Sequence, residues 1–221
     1  MSGSGMIFSQ VELMVLLSAL GGDVLYGFWT ETPSVQRILQ AANSLTYQGI
    51  MNVDETGFHL PSGDVKQLLQ PVADAIWAVL LTPKDSEQAQ VCYMIGMSIA
   101  TGFEMIAVQQ NAARVYSFAT NQWENELEAR CVLSAKWNKL PNSYRQDRPL
   151  EQLGYIPTRR DLEEQPDAEW LLEYIQVPQK KPYCGVLISK TPGNRSAWSS
   201  NGVISVVTND IRSVVSLPKT I

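Results

Sequence analysis

Four runs of β-forming residues, Ala75 to Leu81, Val91 to Ile99, Phe103 to Val108 and Arg114 to Ala119, follow one another closely in the middle of the chain. Only Gln109, Gln110, Asn111, Ala112 and Ala113 separate the last two, a length suited to a hairpin. The four runs predict an antiparallel sheet. Immediately after it, Asn121 and Glu124 have capping spacing, and Trp123, Leu127 and Cys131 recur at i+4, which predicts a helix packed on that sheet.

The residues before the sheet carry helix signals. Ser9 and Glu12 form a capping box, which satisfies two amides that the first turn leaves without partners, and Phe8 with Leu13 has the spacing of a hydrophobic staple. Leu13, Leu16, Leu17 and Leu20 continue at helical spacing to the stop at Gly21-Gly22. A second helix is expected from a Thr32 cap with Pro33 as its first residue, where a missing N–H costs nothing. Its buried stripe is read as Val35, Ile38, Leu39, Ala42 and Leu45, and Gly49 ends it. Met51 to Val53, the turn Asp54 to Gly57, and Phe58 to Leu60 then read as a hairpin, and a short helix at Val65, Leu68 and Leu69 is expected to stop near Pro71.

Helix, helix and hairpin in that order predict a winged-helix-like unit over 6–73. Residues 1–5 (Met1, Ser2, Gly3, Ser4, Gly5) ahead of a second methionine read as an expression scar. The remainder, 74–221, is expected to hold the antiparallel sheet with helices, giving an α+β class; the two parts could also be one continuous domain. At 45% hydrophobic and 18% charged residues, a chain of 221 can bury a substantial core.

Within the second part, residues 136–173 form a charged excursion. Lys136, Lys139, Arg145, Arg148, Arg159 and Arg160 precede Asp161, Glu163, Glu164, Asp167, Glu169 and Glu173. From Leu140 to Pro166 the composition reads as an excursion without packed elements. Trp170 to Val177 is too continuously apolar for periodicity to decide between strand and helix. Tyr183 to Ser189, Val203 to Thr208 and Arg212 to Leu217 read as strands.

Charge decides the partner class. Residues 1–83 contain only Arg37 and Lys66 as bases against seven carboxylates, a net −5, while the rest of the chain is neutral. Phosphate contacts need lysine and arginine, so the second helix, with Arg37 alone, and a hairpin turn bearing Asp54 and Glu55 argue against nucleic acid. No apolar run approaches the roughly 18 residues of a membrane-spanning helix, and no signal peptide is apparent. The expected location is cytoplasmic. Cys92, Cys131 and Cys184 are too far apart for a CxxC site or a disulfide framework.

Catalytic motifs are not evident. The one histidine, His59, excludes multi-histidine metal sites and reads as a half-exposed strand residue. Gly96 and Gly102 fit neither a dinucleotide fingerprint nor a phosphate loop. The expectation is a protein that is not an enzyme, with no catalytic, metal or cofactor residues. Trp137 and Trp198, in polar and loop-like surroundings, are the candidate partner anchors, together with Tyr144 and Tyr155.

From Ser9 to about Leu133 the order of signals resembles the EspG family, cytosolic substrate chaperones of mycobacterial type VII (ESX) secretion. The resemblance runs through Glu12-Leu13, Leu16-Leu17, Leu45, Gly49-Ile50, the Asp54 to Gly57 turn, Leu60, Leu68 and Leu69. It continues in Val79-Leu80-Leu81, Gly102 to Val108, Val115 to Phe118, the Asn121 helix, and Ile204-Ser205-Val206 to Asp210. A related secretion-associated family of Gram-positive bacteria outside the mycobacteria fits the same pattern. The loop by which the EspG family grips its substrate, between the second and third sheet strands, is brief here, so no binding residue carries over.

What the resemblance implies is an adaptor or chaperone that binds a helical secreted protein and holds it in the cytoplasm; a homo-oligomer is compatible with this. The alternative is a transcriptional regulator with a degenerate winged helix. A third reading, an enzyme of unrecognised type, would need a deep pocket with a strongly perturbed titratable group.

Overall fold

The computed structural model describes residues 5–21, 32–55, 59–106, 111–131, 151–152, 156–166, 168–177, 181–189 and 196–199. The protein is α+β and divides into two compact units. The first comprises Met1–Ala78 with Ala89–Phe118, and the second Val79–Gln88 with Ala119–Ile221.

The first unit opens with a strand that the sequence did not announce, β1 (Met6–Ser9), paired antiparallel with β7 (Ala112–Ala119). Ser9 ends β1 and caps α1 (Gln10–Ala19). Its backbone N–H donates to Glu12 Oε2 at 2.8 Å, and the Glu12 N–H donates to Ser9 Oγ at 3.3 Å, so the capping box forms as read. Phe8 and Leu13, the staple pair, are both buried, as are Leu16 and Leu17.

Helix α2 (Val35–Tyr47) starts two residues later than expected. Ser34, not Thr32, is the N-cap, and its hydroxyl accepts from the Arg37 N–H at 3.4 Å. Serine is the stronger cap, and Pro33 then sits ahead of the helix in extended chain that its fixed φ suits. The far end closes as a Schellman motif around Gly49 at φ 71°. The Gly49 N–H donates to Thr46 O at 3.0 Å and the Ile50 N–H to Leu45 O at 2.9 Å. The hairpin β2 (Met51–Val53) and β3 (His59–Pro61) follows, with Met51 opposite Pro61 and Val53 opposite His59.

Helix α3 (Gly63–Ala73) runs past Pro71 instead of stopping there. A proline late in a helix forfeits one backbone bond, and here the ring is buried, which offsets that loss. Thr101 Oγ1 donates to Leu68 O at 2.7 Å and ties α3 to the sheet.

Strand β4 (Trp77–Pro83) is buried along its whole length, as is β5 (Val91–Ile95). The run read as one strand over Val91 to Ile99 is broken by a turn at Gly96-Met97-Ser98, after which β6 (Ile99–Met105) returns antiparallel. The Gly96 N–H donates to Ile99 O at 3.1 Å. Strand order in this unit is β1-β7-β6-β5, followed by the start of β4. Tyr93 and Phe118 meet edge-to-face at 6.0 Å, and Tyr116 stacks on Phe118 at 6.2 Å. Gly102, opposite Tyr93, leaves the space in which the Tyr116 ring lies.

The second unit contains α4 (Trp123–Cys131), entered through a 3-10 turn at Thr120–Gln122, so Asn121 belongs to that turn and is not the cap. Trp123 and Leu127 are buried, as the i+4 spacing predicts. Part of the expected excursion is a packed element: α5 (Arg159–Glu164) buries Leu162 in a cluster with Ala168, Leu171 and Leu187. The Thr158 N–H donates to Asp161 Oδ2 at 2.7 Å to fix its start.

The ambiguous Trp170 segment is strand β9 (Ala168–Gln176), antiparallel to β10 (Lys181–Ser189), which pairs antiparallel with β11 (Ser196–Ser199). The short β8 (Glu151–Gln152) runs parallel to β11. Order here, from the rest of β4, is β9-β10-β11-β8. Pro157 lies against Gly185 of β10, within 3.0 Å of where a Cβ would stand. The strands expected at Val203 to Thr208 and Arg212 to Leu217 lie outside the described residues.

Candidate functional site

The largest departure of the structure from the sequence reading is on α2. Of the stripe expected to be buried, only Leu45 is buried fully; Ile38 and Ala42 are half-buried, and Ala41 joins them in facing inward. Val35 is 73% exposed and Leu39 59%. The apolar positions of α2 span more of the helix than one packing face can cover. Ile38, Ala41 and Leu45 fill the contact with the body of the unit, and Val35 and Leu39, four residues apart, stand beside it on a neighbouring strip.

Two further groups extend the exposed apolar surface of this unit. Tyr47, in the last turn of α2, is 94% exposed. Val53 and Leu60 of the β2–β3 hairpin are about half exposed, and β2 packs against α2. Met51 is buried, anchoring the hairpin. Its register partner Pro61 is buried too, while Asn52, Val53 and Leu60 remain exposed.

The polar residues around this surface are mostly uncharged or acidic. Gln36, Gln40, Asn43 and Gln48 are exposed on or beside α2, Arg37 is its one basic residue, and Asp54 and Glu55 are exposed in the chain that follows β2. Such a surface offers apolar area with carboxylates near it and little to attract a phosphate.

The candidate anchors are placed as follows. Trp137, Tyr144 and Tyr155 lie outside the described residues. Trp198 is not in a loop: it lies on β11, in register with Gly185 of β10. His59 lies on β3 opposite Val53. Val35 and Leu39 read as core because apolar residues at helical spacing carry the same signal whether a partner is inside or outside the fold.

Other chemistry is sparse. Among the described residues, no group of three His, Cys, Asp or Glu side chains is placed to hold a metal ion, and no helix is long and apolar enough to cross a membrane. Glu173, half-buried on β9 opposite Gly185, has its pKa raised above the usual carboxylate value by desolvation. Arg159 pairs with Glu163 at 3.2 Å and Arg160 with Glu164 at 2.7 Å, so part of the basic cluster meets its counterions within α5. No protein-family model matches this chain, and no curated protein matches it.

Proposed function

We propose that this chain is a non-enzymatic adaptor or chaperone of a type VII (ESX-like) secretion system, holding a helical secreted protein in the cytoplasm. The observation that carries the reading is the exposed apolar surface of α2, with Val35 and Leu39 turned away from a core already filled by Ile38, Ala41 and Leu45. Exposed apolar residues grouped on one element favour a protein partner. The sequence resemblance to the EspG family supplies the type of partner, and the acidic N-terminal third is consistent with it.

The order helix, helix, hairpin favours a second reading, a regulator with a degenerate winged helix. Its weakness is electrostatic, since α2 would be the recognition helix and has one basic residue. The test is affinity purification of the protein from its own host at moderate salt, with mass spectrometry of what co-elutes. A small helical protein encoded beside secretion genes supports the chaperone. Recovery of nucleic acid, or of no stable protein partner, overturns it.

A further inference from the structure

We propose that Met97, at the tip of the β5–β6 turn, is a site of reversible oxidation, where hydrogen peroxide converts the thioether to the sulfoxide and leaves the fold intact. The chain has seven methionines. Met1 lies outside the described residues. Of the others, Met51 and Met94 are only 1% exposed, Met14 and Met105 are half-buried, and Met6 is 38% exposed. Met97 stands apart at 86%. An oxidant must reach the sulfur, so exposure ranks the sites, and a buried thioether reacts only through openings that admit solvent.

The geometry of the turn keeps the change local. Its conformation is set by the main chain: the Gly96 N–H donates to Ile99 O at 3.1 Å, and Ile95 pairs with Ala100 in the ladder behind it. Gly96 has no room for a side chain, since a Cβ there would stand 2.9 Å from Ile99 O. The Met97 side chain fills no such space, and an oxygen added to its sulfur meets water. At Met94, three residues earlier on the fully buried β5, the same oxygen would be a polar atom in a packed strand, which is costly. Ile99 is 48% exposed, so the tip carries two apolar side chains before oxidation and one after it.

In the forward step a sulfur lone pair attacks one peroxide oxygen. The S–O bond forms as the O–O bond breaks, and the second oxygen leaves with both peroxide protons as water. The thioether is oxidised by two electrons and the peroxide is reduced by two. The return step needs a methionine sulfoxide reductase and a dithiol: the sulfoxide oxygen leaves as water, and the dithiol is oxidised to a disulfide. This chemistry belongs to the chain itself and stands whether or not the adaptor reading holds.

The test treats the full chain with limiting hydrogen peroxide at neutral pH and locates the added oxygen over time by peptide mass mapping. The Met97 peptide is expected to gain its oxygen at least about tenfold faster than those of Met51 and Met94, and ahead of those of Met6, Met14 and Met105. Protein oxidised at Met97 alone should melt within about 2 °C of the untreated chain. Incubation with a methionine sulfoxide reductase and a dithiol should restore its mass. Met97→Leu, which keeps an apolar side chain without sulfur, should lose the fast step and leave the slower ones at their own rates. Oxidation of Met6, Met14, Met51, Met94 or Met105 as fast as Met97 overturns the proposal. So does a larger fall in melting temperature of the singly oxidised chain, or a sulfoxide that the reductase leaves in place.

Discussion

At the scale of single residues, two glycines show how the same residue type serves different physical needs. Gly102 is required for space: a Cβ there would stand 2.5 Å from Tyr116 Cζ, and Tyr116 is buried beside Phe118. Gly102→Ala should therefore cost about 1–3 kcal/mol by overpacking. In a Tyr116→Leu background the cost should shrink, a coupling that a denaturant double-mutant cycle reads directly. An equal cost in both backgrounds would place the strain elsewhere. Gly49 is required for conformation: its φ is 71° and nothing lies within 4 Å of an added Cβ. Gly49→Ala should cost about 1–2 kcal/mol through the left-handed backbone alone, whereas Gly63→Ala, also in open space but at the start of α3 with no positive φ, should be neutral or stabilising.

Glu173 adds a dependence on pH at the same scale. Burial raises its pKa, so the folded state favours the protonated carboxyl. The resulting contribution to stability is fully present below the unfolded carboxylate pKa of about 4.3 and is lost as pH rises through the raised folded value. Glu173→Gln, which stays neutral, should gain stability relative to wild type between about pH 4 and pH 7. Urea midpoints at the two pH values check this, and a constant difference between the two proteins would show that desolvation of this carboxylate does not matter.

At the scale of elements, legibility followed how local the determining physics was. Helix α1 was readable because its capping box, Ser9 with Glu12, and its staple lie within a few residues of one another. The Gly49 stop on α2 was readable for the same reason. Strand β1 was not, since Met6 to Ser9 is a strand only by pairing with Ala112 to Val115, more than a hundred residues away. The turn at Gly96 was hidden by the apolar residues around it, Met97 being 86% exposed although it reads as core. Helix α5 was obscured by its charge, because only Leu162 is buried and its capping pair, Thr158 and Asp161, sits within a polar run. The candidate site was the least legible part: Val35 and Leu39 have the pattern of a core, and only the packing of Ile38, Ala41 and Leu45 reveals that the core was already filled.

At the scale of the whole molecule, the distribution of charge is the property that separates the competing functions. The chain has net charge −5, and the first 83 residues account for all of it. A regulator that grips a duplex through α2 and the hairpin would have to neutralise phosphates with one arginine on the helix while Asp54 and Glu55 stand beside the groove. Each lost phosphate contact removes both affinity and salt dependence, so such a surface has neither term to offer. The protein should therefore show no binding to a short DNA duplex at about 0.1 M salt, where a duplex-binding module would hold even non-specific DNA at micromolar concentrations. Fluorescence anisotropy with labelled duplex and single-stranded DNA measures it. A steep fall of affinity with salt would reveal a basic surface that the acidic first unit does not supply, and would move the regulator ahead of the adaptor. Silence in that assay would mean that the first unit offers a phosphate backbone nothing to bind, the outcome that the adaptor reading requires.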